Sequence, residues 1–206
     1  SMLLLSMDPL GKKELLSFYD RHFKDFGDDP RAVRWAPGGQ RRRYEALLQI
    51  TGDITGKDIL DFGCGKGDLY GFILEKGLSL CYCGVDVNKN FIDFAARKFP
   101  GAEFIAADIE ESGLRRLFDI ILCCGVFNLR VGGIEESVRN VLKKLFGLCR
   151  EAMHFNVLSY NTLQRDIELF YVRPEEISRF IRTELTVNAV MRDDLVKGDL
   201  FLSIYK

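Results

Sequence analysis

The sequence predicts an α/β fold, a doubly wound sheet of seven strands, mostly parallel, with helices on both faces. Three observations carry that prediction. From residue 58 onward short apolar runs alternate with amphipathic segments, the signature of repeated βαβ units. The first apolar run ends in a glycine-rich turn, Asp61-Phe-Gly-Cys-Gly-Lys-Gly-Asp68, which opens into a helical pattern. The last two apolar runs are joined only by Asp193-Asp-Leu-Val-Lys-Gly198, a connection short enough to require an antiparallel hairpin.

Taken in order, residues 11–27 and 40–51 place apolar side chains at helical spacing (Leu15, Leu16, Tyr19, Phe23; then Tyr44, Leu47, Leu48) and read as two helices. Between them, Pro30 and the Pro37-Gly-Gly39 break make a loop that holds the only tryptophan, Trp35. Strands are expected at 58–62, 80–86, 102–107, 119–124 and 153–158. Helices fall between them at 67–77, 89–98 and 134–149, with a short segment at 111–116. Pro174-Glu175-Glu176 opens a further helix, since proline suits the first turn and acids suit the positive helix end. The closing runs are 185–192 and 199–205. At 206 residues the whole chain is expected to form a single domain, with 1–52 a helical cap and 53–206 the sheet core.

Composition narrows the function classes. With 29 basic and 30 acidic residues, net charge −1, no global attraction for nucleic acid or anionic membrane is expected, so any polyanion site is local. Leu3-Leu4-Leu5 lacks a basic flank and is too short for a signal core, and no run reaches the ~20 apolar residues of a spanning helix. The cytoplasm is the expected compartment. The six cysteines contain no C-x-x-C pair, and most lie in strand-like runs; they read as reduced core thiols, with no metal site expected.

Glycines 63, 65 and 67 let a ligand lie against bare backbone at the carboxyl end of a strand. Asp86 closes the second strand, about 20 residues beyond that loop, where a carboxylate can accept both hydroxyls of a ribose. Asp108 closes the third. A nicotinamide-type fingerprint would put glycine at position 68, but aspartate stands there, hostile to a pyrophosphate and harmless to a cationic sulfonium.

With these motifs, residues 40–206 resemble the class I S-adenosylmethionine-dependent methyltransferases, whose sheet is Rossmann-like and ends in an inserted antiparallel strand. The resemblance implies S-adenosylmethionine as cofactor, with Asp61, Gly63, Cys64 and Gly65 at its methionine end. Asp86 with Val87 would hold the ribose, and Asp108 with Ile109 the adenine. Phe118-Asp-Ile-Ile-Leu-Cys-Cys-Gly125 resembles the fourth motif, which places Cys124 and Gly125 beside the cofactor amine and reacting methyl.

No universal catalytic residue is expected, because in-line methyl transfer depends mainly on alignment and exclusion of water. Phe127, Asn128, Arg130, Ser159, Tyr160 and Asn161 lie just past strand ends and are the substrate-side candidates. Asn128 either orients a substrate oxygen or caps a turn. His154, early in its strand, reads as structural. Arg34, Arg41, Arg42 and Arg43 gather positive charge near Trp35. Arg43 either pairs with the methionine carboxylate or belongs to a solvated face, and Trp35 either covers the cofactor or anchors the cap. A small-molecule or glycan-type acceptor, methylated at oxygen or nitrogen, is the expected substrate. The alternatives are an RNA-modifying enzyme using the arginine cluster and a non-catalytic binder of the cofactor.

Overall fold

The computed structural model describes residues 7–36 and 38–206; the Leu3-Leu4-Leu5 run and Pro37 lie outside them. Helix α1 (Pro9–Phe26) starts where the Asp8 side chain accepts from Leu10 N at 3.0 Å and Pro9 fills the first turn, and it stops at Gly27. A 3-10 turn (Pro30–Val33) leads to α2 (Gly39–Thr51). The βα repeats follow: β1 (Asp58–Phe62), α3 (Asp68–Glu75), β2 (Cys81–Asp86), α4 (Lys89–Lys98), β3 (Glu103–Ala106), β4 (Phe118–Cys123), α5 (Ile134–Leu148) and β5 (Cys149–Leu158). The chain ends with α6 (Pro174–Glu184), β6 (Ala189–Arg192) and β7 (Asp199–Tyr205).

These strands form one sheet in the order β3-β2-β1-β4-β5-β7-β6, parallel from β3 to β5, with β7 antiparallel to both β5 and β6. Strand order reverses between β1 and β4, where an open α/β sheet leaves a crevice at the carboxyl ends of its strands. The period-2 alternation of side chains sorts the core into two layers. Ile59, Ile120 and Leu122 pack with Leu47 of α2 and Phe72 and Ile73 of α3, while Leu60, Ile121 and Cys123 pack with Leu142 and Leu145 of α5 and Phe180 of α6. No helix among the described residues is long and apolar enough to cross a membrane.

Three expected boundaries move, each for a local reason. Residues 111–116 form no helix: Glu111 and Ser112 donate back to Asp108 O for one turn, and Gly113, at φ +62°, ends it. Residues 185–188 are not strand, because the N–H groups of Leu185 and Thr186 satisfy Ile181 O at the end of α6. Strand β5 begins four residues early, at Cys149. Its exposed Arg150 and Glu151 run past the core to pair with Asp119 and Lys57, so no apolar signal marks them.

Candidate functional site

The turn after β1 is folded over the end of β2. Gly63 N and Cys64 N both donate to Val85 O, at 2.7 and 3.1 Å, and Gly65 N donates to Asp86 Oδ2 at 2.9 Å. Gly63 sits at φ +72°, and a Cβ there would fall 2.4 Å from Val126 Cγ2, so side chain and conformation both require glycine. Asp86 also accepts from Asn88 N at 2.8 Å. Burial is the main influence on this carboxyl and raises its pKa, opposed by the backbone N–H groups of Asn88, Gly65 and Val87.

A single cavity joins the ends of the first four strands. Gly63, Cys64, Gly65, Asp86, Val87, Asp108, Ile109, Cys124, Gly125, Phe127 and Trp35 all line it, so most of the residues marked in the sequence converge. Its other acids are Asp68 and Glu110. Glu110 Oε2 accepts from Ser137 Oγ at 2.8 Å, while Oε1 is buried with no partner. Asp108 takes an ion pair from Lys12 of α1, which also reaches Glu111 at 2.7 Å.

The N-terminal segment roofs this cavity with Leu15 and Tyr19 of α1, Val33, Trp35, and Gln40 and Tyr44 of α2. Trp35 lies so close over Gly125 that an added Cβ would stand 2.3 Å from its ring. Lys66, fully buried, ties roof to floor: its Nζ donates to Asp28 O at 2.9 Å and faces Asp28 and Asp68 carboxylates at 3.3 and 3.1 Å. Tyr19 is pushed up to about 12 by burial, with the charge of Asp86 adding, and stays a neutral phenol. Tyr19, Tyr44 and Glu110 carry no motif, and the two tyrosines are legible only as apolar positions of helices; Lys66 stands within the glycine turn, where nothing in the sequence marks its role.

Several expected contacts differ. Asp61 does not line the cavity. It lies beneath the turn, 2% exposed, and accepts from Tyr82 Oη at 2.5 Å; burial raises its pKa to about 7. Its place at an inward-facing register position of β1 puts it under the loop rather than in it. Arg43 does not line the cavity either, because the Nε and Nη2 groups of its guanidinium hold Asp199, at 2.7 and 2.6 Å. Asp199 is buried at the start of β7, 156 residues away in sequence, which no local pattern reveals. Asn156 Nδ2 donates to the same carboxylate at 2.7 Å and Asn156 Oδ1 accepts from Gly125 N at 2.8 Å, so a polar chain runs from α2 through β7 and β5 to the turn after β4.

The arginine cluster is largely paired. Arg34 Nη2 donates to Asp166 and Glu168, each at 2.8 Å, and Arg41 to Glu75 at 2.7 Å. Tyr160 lies outside the cavity, its ring between the guanidinium groups of Arg165 and Arg173 at 4.1 and 3.9 Å. Asn128 lines a second, adjoining cavity. His154 is buried in β5 against Ser203 Oγ at 2.8 Å, and burial lowers its pKa to about 4, so it is neutral. Cys81 is exposed, unlike the core thiols Cys83, Cys123 and Cys149. Among the described residues, no group of three or more His, Cys, Asp or Glu side chains is placed to hold a metal ion.

A family described as "Methyltransferase domain" matches residues 59–151. Rv1506c of Mycobacterium tuberculosis, classed among the methyltransferases, is 31% identical over 126 residues, 56% of this chain and 73% of that protein. The malonyl-[acyl-carrier protein] O-methyltransferase of Acetivibrio thermocellus is 28% identical over 145 residues, 63% of this chain and 50% of that enzyme, so the chain spans about half of this relative's length. In fold, the chain is similar to magnesium protoporphyrin IX methyltransferase from Synechocystis with bound S-adenosylhomocysteine. The TM-score is 0.67 at 15% identity, covering 95% of this chain and 99% of the other.

Proposed function

The chain belongs to the class I S-adenosylmethionine-dependent methyltransferases, and from that premise we propose that it methylates a small-molecule or glycan-type acceptor at oxygen or nitrogen, with 1–52 acting as a cap over the 53–206 core. The observation that carries the reading is the acid-lined cavity under Trp35, in which a carboxylate at the end of β2 is bound to the backbone of the glycine turn. The donor set fits S-adenosylmethionine. Asp68, Asp86, Asp108 and Glu110 suit a cationic, hydroxyl- and amine-bearing ligand, and the only lysines at the wall, Lys12 and Lys66, are both paired with carboxylates. Such a wall disfavours a pyrophosphate.

When bound, S-adenosylmethionine supplies an electrophilic methyl group on a sulfonium. The chain's own residues then divide the work. Asp86 and Val87 hold the ribose, and Asp108 and Ile109 the adenine. Gly63, Cys64 and Gly65 give backbone contact to the methionine end, with Cys124 and Gly125 beside the reacting methyl. Trp35 and Tyr19 close the roof and exclude water, so that alignment rather than acid–base chemistry lowers the barrier. Arg34, Arg41 and Arg43 each hold a carboxylate, which weighs against the RNA-modifying alternative.

Transfer of labelled methyl to panels of hydroxyl, carboxyl, amine and RNA acceptors tests the reading. Turnover of a small acceptor is expected. Labelling of RNA alone, or of nothing while the cofactor binds, would overturn it. Asp86→Ala should lower affinity for S-adenosylhomocysteine at least ~10-fold by calorimetry, since charge-assisted hydrogen bonds are worth roughly 1.5–3 kcal/mol each.

A further inference from the structure

Behind Trp35 lies a second cavity that shares Tyr19, Val33, Trp35 and Gly125 with the first, so the two adjoin at the indole and the Gly125 backbone. Its wall is apolar apart from Arg34, Arg43, Asn128 and the polar groups of Tyr19 and Trp35. Arg43 is fully engaged with Asp199. Arg34 is not. Its Nη2 holds Asp166 and Glu168 on one side, and its Nη1 is buried with no partner. Asn128 Oδ1 is likewise buried and unpartnered. Buried polar atoms are nearly always hydrogen-bonded, and two of the exceptions belong to residues that line this one cavity.

The backbone fixes both residues. Arg34 caps the 3-10 turn in the left-handed region, at φ +61°, its N–H donating to Arg31 O at 3.0 Å. Asn128 is fixed by its main chain, whose carbonyl accepts from Phe170 N at 2.9 Å, while its amide is free at Oδ1.

We propose that this second cavity receives the methyl acceptor and that Arg34 and Asn128 bind a carboxylate, one oxygen of which is the nucleophile. The inference rests on the methyl-transfer reading above for its chemistry, though not for the binding site. A guanidinium N–H can only donate, so its partner must be an acceptor atom. The Asn128 amide, unheld at Oδ1, can turn its Nδ2 to the same group; oxygen and nitrogen of a side-chain amide are interchangeable by rotation. No carboxylate or imidazole is among the described residues that line the cavity, so no base is at hand to deprotonate an alcohol. An alkylammonium would meet two guanidinium groups. A carboxylate is ionised at neutral pH and needs neither. Asp166 and Glu168 stand on the other edge of Arg34 with side chains 46% and 65% exposed, where water screens their repulsion. In the transfer, a carboxylate lone pair forms the new C–O bond as the methyl C–S bond breaks and its electron pair stays on sulfur. The product is a methyl ester, and no proton moves.

The test uses the full chain saturated with S-adenosylhomocysteine and a set of straight-chain and aryl monocarboxylates with their matched alcohols, amides and amines. Binding is followed by ligand-observed NMR. Carboxylates should bind and the matched compounds should not. Arg34→Gln and Asn128→Asp should each weaken carboxylate binding at least tenfold with S-adenosylhomocysteine affinity unchanged. With labelled donor, the transferred label should leave as methanol on mild alkali treatment, as a methyl ester requires. Failure of every carboxylate to bind, equal binding in both variants, or an alkali-stable product on an alcohol or amine would overturn the proposal. Carboxylates that bind through Arg34 but are never methylated would uphold the site and remove the methyl-transfer reading instead.

Discussion

Arg43 shows what a single side chain does here. Its guanidinium grips Asp199 through two hydrogen bonds and stacks 4.6 Å above the Trp35 ring, while Asp199 also receives Asn156. The carboxylate is wholly buried and the arginine nearly so, at 0% and 16% side-chain exposure. Removing one member of such a pair leaves an uncompensated buried charge, a loss of about 3–5 kcal/mol. Arg43→Ala should therefore destabilise the chain by that order in urea unfolding. Because Trp35 is the only tryptophan, its fluorescence should shift to the red as the ring loses its cover. A loss under 1 kcal/mol with unchanged emission would show that the pair does not hold the roof in place. From sequence, the arginine was visible as one of a basic cluster, but its partner was not: an aspartate opening a terminal strand looks like any surface turn residue. The residues that were legible, Gly63, Gly65, Asp86 and Asp108, sit at strand ends, where chain order and spatial order coincide.

At the scale of elements, α1 forms one side of the site. It is held by Tyr19 and Phe23 against Phe91, by Asp20 accepting from Asn88 and Asn90, and most tightly at Gly11 against Gly132, where an added Cβ would fall 2.3 Å from the carbonyl oxygen. The next residue, Lys12, pairs with Asp108. Two effects compete in Gly11→Ala. Alanine favours the helix by up to about 1 kcal/mol, while the clash is with backbone and can be relieved only by moving the helix away. The second effect should win. Release of S-adenosylhomocysteine, followed through Trp35 fluorescence, should speed up at least ~10-fold while the unfolding midpoint changes little. Slower release would mean that the loop at Gly132 yields instead. The apolar pattern gave α1 to within two residues of its bounds, 11–27 expected and 9–26 found. What it could not give is which helix face meets the sheet, because an amphipathic stripe is the same whether it covers core or ligand. Strand identity was legible for the same reason that strand ends were not: apolar runs mark the buried middle of β5, and nothing marks its exposed Arg150-Glu151 start.

The response of the whole molecule to pH follows from two buried groups that pull in opposite directions. Asp61, raised to about 7 from an ordinary value near 3.8, keeps its proton in the folded chain while the unfolded chain has lost it. Between those values the folded state binds more protons, so its stability rises as pH falls from about 7 to about 4. Burial also raises Asp86, which adds in the same sense. His154 does the reverse. Lowered to about 4 from 6.5, it stays neutral in the fold while the unfolded chain takes up a proton, and stability is lost as pH falls from 6.5 to about 4. At about 1.4 kcal/mol per pKa unit, the Asp61 effect is about 4–5 kcal/mol and the opposing His154 effect about 3–4 kcal/mol, so the two largely offset and Asp86 leans the balance toward acid. The carboxyls held low by their partners, among them Asp28, Asp119 and Asp194, act only below about 4, outside that window. The native chain should therefore show an unfolding free energy that is level or rises gently from pH 7 to pH 4. Each single substitution should uncover the other group: Asp61→Asn should lose stability as the solution is acidified through that range, and His154→Gln should gain it. The slope is the readout, because either substitution can also change packing, and a packing loss shifts the whole curve without tilting it. A native profile that falls steeply across the range, or two variants with slopes of the same sign, would mean that the buried carboxyl beneath the glycine turn is ionised in the fold.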